Sequence, residues 1–169
     1  IGATPGGGVT RLALSDEDKT ARDLLVKWMT DAGLAVKIDD LGTISGVRPG
    51  TEDLPPVYLC SHIDTVVRGG KYDGALGVMG ALEVIRTLND HGVTTRLPVG
   101  LIAWTNEEGV RFEPATLASG VVAGAFTREF AYGIRDRNGR SFEDELVRIG
   151  YKGTEANRPL PASAYLELH

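Results

Sequence analysis

Apolar residues recur at Ala21, Leu24, Leu25, Trp28 and Met29, three and four apart, and this spacing predicts an amphipathic helix running from Ser15 to Gly33. Ser15 can cap the amide of Asp18. Asp16, Glu17 and Asp18 put negative charge at the positive end of the helix dipole, and Gly33 can take the left-handed conformation that ends a helix. Two short segments, 35–38 and 43–47, flank Asp39-Asp40-Leu41-Gly42 and predict a hairpin. Continuous apolar runs at 57–60 and 97–104 have no polar face, as expected of strands buried on both sides. Between them 76–88 reads as a helix closed by His91-Gly92. Residues 115–126, small and apolar, suggest another helix; Ser141 caps one through about 149, and 165–168 is a last strand. Strands alternating with helical crossovers predict an αβα layered α/β fold with a mostly parallel sheet. Residues 1–14 read as an irregular lead-in whose Gly6-Gly7-Gly8 is a flexible turn, too compact for a dinucleotide or phosphate-loop fingerprint.

Composition narrows the function classes. With 42% hydrophobic and 24% charged residues, the 169-residue chain has material for a core without disulfides. Net charge is −5, and there is no basic stripe or Cys/His finger, which argues against a nucleic-acid partner. No apolar stretch approaches the roughly 20 residues needed to span a bilayer, so no membrane partner is expected. No signal peptide is recognisable at the start. The single cysteine, Cys60, lies in an apolar run and reads as a buried small hydrophobe, which fits a reducing, cytoplasmic setting. A start without Met and an end just after an apolar run suggest a piece of a longer protein. No interior linker divides it, so 1–169 reads as one unit.

The chemistry-bearing residues follow the expected strands, where open α/β sheets place their sites. In Ser61-His62-Ile63-Asp64, residues two apart on an extended segment share a side, so the Asp64 carboxylate could reach the His62 imidazole and fix its tautomer for metal binding. Asp73, in Gly69-Gly70-Lys71-Tyr72-Asp73-Gly74, is either the N-cap of the next helix or a carboxylate bridging two metals. Glu107 and Glu108 end a buried strand, where unpaired carboxylates are costly and a cation removes the cost. Neighbours on a strand point opposite ways, so one could bind metal while the other moves protons. His169 again follows a strand. Alone, each has an ordinary explanation as a surface pair, a cap, a charged turn or a terminal residue. Together they make a mixed nitrogen and oxygen set suited to Zn²⁺, and also to Mn²⁺, Co²⁺ or Ni²⁺.

Four ordered motifs, Ser61–Val66, Gly69–Val78, Asn106–Phe112 and Tyr165–His169, resemble the M20-type metallohydrolases. The likeness is to the branch of N-carbamoyl-L-amino acid hydrolases, allantoate amidohydrolases and β-ureidopropionases, and it runs from Gly7 to the last residue. It implies the N-terminal part of a zinc-hydrolase catalytic domain that binds two divalent metal ions. In it His62 and His169 hold one metal, Asp73 bridges, Glu108 holds the second, Glu107 is the general base and Asp64 orients His62. The implied activity is hydrolysis of a ureido C–N bond in a small N-carbamoyl or allantoate-like substrate. An aminoacylase or dipeptidase of the same family is the alternative, as is a non-catalytic fragment. The resemblance further implies a later histidine and a separate lid domain through which a full-length homodimer forms.

Overall fold

The computed structural model describes residues 1–169. The Ser15 hydroxyl accepts the Asp18 amide at 3.2 Å and starts α1 (Asp16–Asp31), and Gly33, at φ +80°, turns the chain out of it. The hairpin forms as read: β1 (Ala35–Ile38) pairs antiparallel with β2 (Ile44–Arg48). Its turn is built by Asp39, whose Oδ1 accepts the amides of Leu41 and Thr43. β3 (Val57–His62) follows, then α2 (Ala75–Asp90) crosses over to β4 (Val99–Trp104). β4 starts two residues later than the apolar run suggests, because Pro98 has no N–H for the ladder and its carbonyl instead accepts the Val57 amide. β5 (Ala164–Glu167) closes the set.

Strand order is β1-β2-β4-β3-β5. β3 is parallel to both β4 and β5, and β2 is antiparallel to both of its neighbours, so only β2 runs against the other four. The sheet is therefore mostly parallel, as the alternation of elements predicted. On one face Leu101 and Ala103 of β4 join Leu25 and Met29 of α1 and Val78, Ala81, Leu82 and Ile85 of α2 in the main core. The opposite face carries Tyr58, Cys60, Ile102 and Trp104, with Val122 and Ala162 packed against them. Cys60 is buried there, as expected.

Three short helices complete the chain: α3 (Leu117–Val122), α4 (Arg128–Gly133) and α5 (Phe142–Arg148). The helix suggested at 115–126 thus shortens to one and a half turns, and α4 is an element the periodicity did not show. No helix is long and apolar enough to cross a membrane.

The lead-in is hydrogen-bonded to itself and to the Gly69 turn. Ala3 and Val9 form a bridge, Val9 pairs with Gly69, and the Gly7 amide donates to the Thr4 carbonyl, so Gly6–Gly8 forms the hydrogen-bonded turn expected of it. Asp18 and Arg22 of α1, which look like surface charges, are fully buried and pair at 2.7 Å.

Candidate metal centre

The carboxyl ends of β3, β4 and β5 lie side by side, and each delivers part of the site. His62 is the last residue of β3 and is fully buried. Its Nδ1 lies 3.0 Å from the main-chain carbonyl of Asp64 and donates to it, which assigns the proton to Nδ1 and leaves the Nε2 lone pair free. That Nε2 faces His169 Nε2 at 3.0 Å, Glu107 Oε2 at 3.4 Å and Asp73 Oδ1 at 4.0 Å. His169 Nε2 lies 3.5 Å from the same Asp73 oxygen. Donor atoms of His62, Asp73 and His169 all lie within 4.8 Å of one another. Four ligands about 2.0–2.1 Å from a tetrahedral Zn²⁺ sit roughly 3.3 Å apart, so these separations fit one divalent cation.

Two glycines let this geometry exist. Gly74 opens α2 at φ +60°, and a Cβ there would lie 2.4 Å from His62 Nε2. At Gly77, one turn on, a Cβ would lie 2.1 Å from the Leu168 carbonyl and 2.7 Å from Ser61 Cβ. The bare helix face thus lets the chain pass close by and set His169 beside His62. Asp73 does not cap α2: the N-cap is Gly74, and no side chain caps the helix. Of the two readings of Asp73, the cap is the one the structure removes.

Glu107 and Glu108 lie on the turn after β4. Asn106 holds φ +57° there, with its side-chain amide donating to the Phe112 carbonyl at 2.7 Å. Glu107 reaches the cluster through Oε2. Glu108 stands beside it rather than in it, and its Oε1 accepts the Val66 amide at 3.3 Å. Burial, then the neighbouring Asp73 carboxylate, raises the pKa of Glu108. Burial, then Asp18, pushes Asp64 up to about 6. Crowded, partly dehydrated carboxylates of this kind are what a bound cation would relieve.

Asp64 differs in detail from the expectation that its carboxylate orients His62. The ring bonds the Asp64 carbonyl, while Oδ1 stands 3.7 Å from Nδ1. The carboxylate is taken up by the Glu107 and Glu108 amides, a pair of donors matched to its two oxygens.

Residues that the sequence reading passed over hold these turns in place. Arg11 donates from Nε to the Ile63 carbonyl at 2.6 Å; its amide donates to Thr65 Oγ1 at 2.8 Å and its carbonyl accepts the Thr65 amide at 2.9 Å. Arg22 reaches the Gly42 carbonyl and Thr105 Oγ1. Arg111, just past the glutamates, bonds Asp136 at 3.0 Å, Glu145 at 2.6 Å and the Ala13 carbonyl at 3.0 Å. The i,i+4 spacing of Asp18 and Arg22 was a signal for their pairing, though not for their burial.

Residues 43–131 match the family model described as Peptidase family M28. The chain is 48% identical over its whole length to an N-carbamoyl-L-amino-acid amidohydrolase of Rhizobium meliloti, covering 41% of that protein. It is 34% identical over 99% of its length to an allantoate amidohydrolase of Bacillus subtilis, covering 42%. Among solved structures it superposes on an amidase of the hydantoinase/carbamoylase family from Burkholderia multivorans with a TM-score of 0.97 at 50% identity, covering all of this chain and 41% of that one. The chain thus spans about two fifths of the length of the relatives it matches. On the matched family model and these relatives together, the chain belongs to the peptidase M28/M20-like hydantoinase/carbamoylase family.

Proposed function

We propose that this chain carries the metal-binding half of an amidohydrolase active site that cleaves the ureido C–N bond of an N-carbamoyl-L-amino acid or allantoate-like substrate. The observation that carries the reading is the convergence of His62 Nε2, His169 Nε2 and Asp73 Oδ1 from three separate segments. These residues would hold one divalent cation, with Zn²⁺ suiting the donor set best and Mn²⁺, Co²⁺ or Ni²⁺ also compatible. Asp73 would share its carboxylate with a second cation held by Glu108. A bound pair lowers the pKa of a water from 15.7 towards about 7 and polarises a carbonyl.

The chain's own residues do the rest. Glu107, with Oε2 3.4 Å from His62 Nε2, stands where it can take the attacking water's proton and pass it to the leaving nitrogen. His62 keeps its lone pair on the site because its other nitrogen is committed to the Asp64 carbonyl. The substrate is small, and the full-length protein acts in the cytoplasm as a homodimer formed through a lid domain. The test is to assay the full-length protein, loaded with Zn²⁺ or Mn²⁺, on N-carbamoyl-L-amino acids, allantoate, N-acetyl amino acids and dipeptides. Faster turnover of the carbamoyl or allantoate substrates is expected. Preference for acetyl amino acids or dipeptides would replace this reading with an aminoacylase or peptidase.

A further inference from the structure

A cleft opens beside Glu107 on the same face of the sheet as the two histidines. In the parallel ladders Cys60 sits opposite Glu167, and His62 opposite Trp104. Residues two apart on a strand share a face, so Cys60 points the same way as His62. His169, two residues past Glu167, meets His62 at 3.0 Å. Cys60, Trp104, Tyr165 and Glu167 therefore line the cleft one step behind the histidines, about 7 Å along the strands. Glu107 belongs to both places, lining the cleft and reaching to 3.4 Å from His62 Nε2.

The start of α3 supplies the remaining lining, Thr116 and Ser119. Thr116 holds φ +53°, a left-handed conformation that a β-branched residue rarely takes, and its amide donates to the Glu107 carbonyl at 2.7 Å. The Thr116 hydroxyl donates to the Ala115 carbonyl at 2.8 Å, and the Ser119 hydroxyl to the Thr116 carbonyl at 3.1 Å. Each has spent its one proton and can only accept from a ligand. Tyr165 likewise donates to the Pro159 carbonyl. No lysine or arginine lines the cleft, and Trp104 alone brings a side-chain N–H. Such a lining suits an uncharged group rich in N–H, while the Glu107 and Glu167 carboxylates turn a substrate carboxylate away.

We propose that this cleft is the subsite for the terminal NH₂ of the ureido group, with Thr116 and Ser119 accepting its protons and so selecting ureido over acyl substrates. The inference rests on the hydrolytic reading and adds which end of the substrate lies beside α3. An N-acetyl group would set a methyl against the same two hydroxyls and leave them without a partner.

In the full-length protein, Ser119→Ala and Thr116→Val should each raise KM for an N-carbamoyl-L-amino acid about tenfold, the worth of one hydrogen bond. The N-acetyl analogue, competing as an inhibitor, should keep its wild-type Ki, which also reports that the site is still folded. Equal changes in both constants, or no change in either, would overturn the proposal. A second readout needs no turnover. N-methylurea should shift the Trp104 indole N–H resonance at concentrations where N-methylacetamide, its isostere with methyl for NH₂, does not, and Ser119→Ala should remove the difference. Equal shifts from the two probes, or none from either, would overturn the subsite. If the wild-type protein hydrolyses no carbamoyl substrate, the functional reading fails, while the N-methylurea titration still decides whether the cleft takes a ureido group.

Discussion

Gly77 and Gly80 lie one turn apart on α2, and replacing each by alanine should have opposite effects. At Gly77 the new methyl would stand 2.1 Å from the Leu168 carbonyl, and contacts below 3.0 Å are essentially never seen, so that carbonyl must retreat by about 0.9 Å. His169 is the next residue and moves with it. Metal–ligand bonds tolerate only about ±0.2 Å, so the imidazole leaves the position that His62 and Asp73 define. Zn²⁺ affinity should fall by more than the roughly 10–100-fold typical of disturbing an outer partner, because a direct ligand is displaced. Overpacking costs about 1–3 kcal/mol, which outweighs the roughly 1 kcal/mol that alanine gains over glycine inside a helix. Gly80 is different: its methyl would meet only Leu168 Cδ2 at 3.6 Å, an ordinary contact. Gly80→Ala should therefore stabilise by about 0.5–1 kcal/mol and leave metal binding alone. Calorimetric titration of Zn²⁺ into the metal-free full-length protein, with thermal melts of both variants, reads both effects. Wild-type affinity in Gly77→Ala, or equal damage in Gly80→Ala, would refute the reasoning.

Three further outcomes are expected. Glu107→Gln in the full-length protein should retain metal and lose about 10²–10⁴-fold in kcat, because an amide keeps the shape but cannot accept a proton; activity within a few-fold of wild type would place the base elsewhere. Asp73→Ala should strip metal measured by elemental analysis, since one carboxylate would serve both cations, and full metal content would contradict bridging. Burial, with Asp40 nearby, raises Asp39 from 3.8 to about 7, so the folded state holds a proton that the unfolded chain has already lost. That stability is complete below about 3.8 and is lost as pH rises towards 7, by a few kcal/mol at most. Asp39→Asn should accordingly gain on wild type between pH 5 and pH 8 in denaturant unfolding, and a constant difference would show that Asp39 does not titrate in this window.

Long periodic elements were legible. The stripe on α1, the hairpin, and the two apolar strands all stand within a few residues of where hydrophobic spacing puts them. α4 was not, because six residues give too short a window for a 3.6-residue period. Its one local signal is Thr127, whose hydroxyl caps the Phe130 amide. The site residues were nameable because they follow strand ends and fall in ordered motifs. Their second partners were not: whether Asp64 offers His62 a carboxylate or a carbonyl depends on how the turn at Glu107 folds 43 residues away. Arg22, bonded to Thr105 and buried, differs from the exposed Lys27 of the same helix only in lying on the face of Leu25 and Met29, a position that does not by itself say what partner a buried cation finds.

His62 and His169 are 107 residues apart in sequence, and the second follows β5, which pairs with β3. A cation shared between them would act as a clasp, fastening the end of β5 to the end of β3. Because it would bind the folded chain alone, a hundredfold excess over its dissociation constant would add about 2.7 kcal/mol to stability. Removing the cation from the full-length protein should then lower its melting temperature even when no substrate is present.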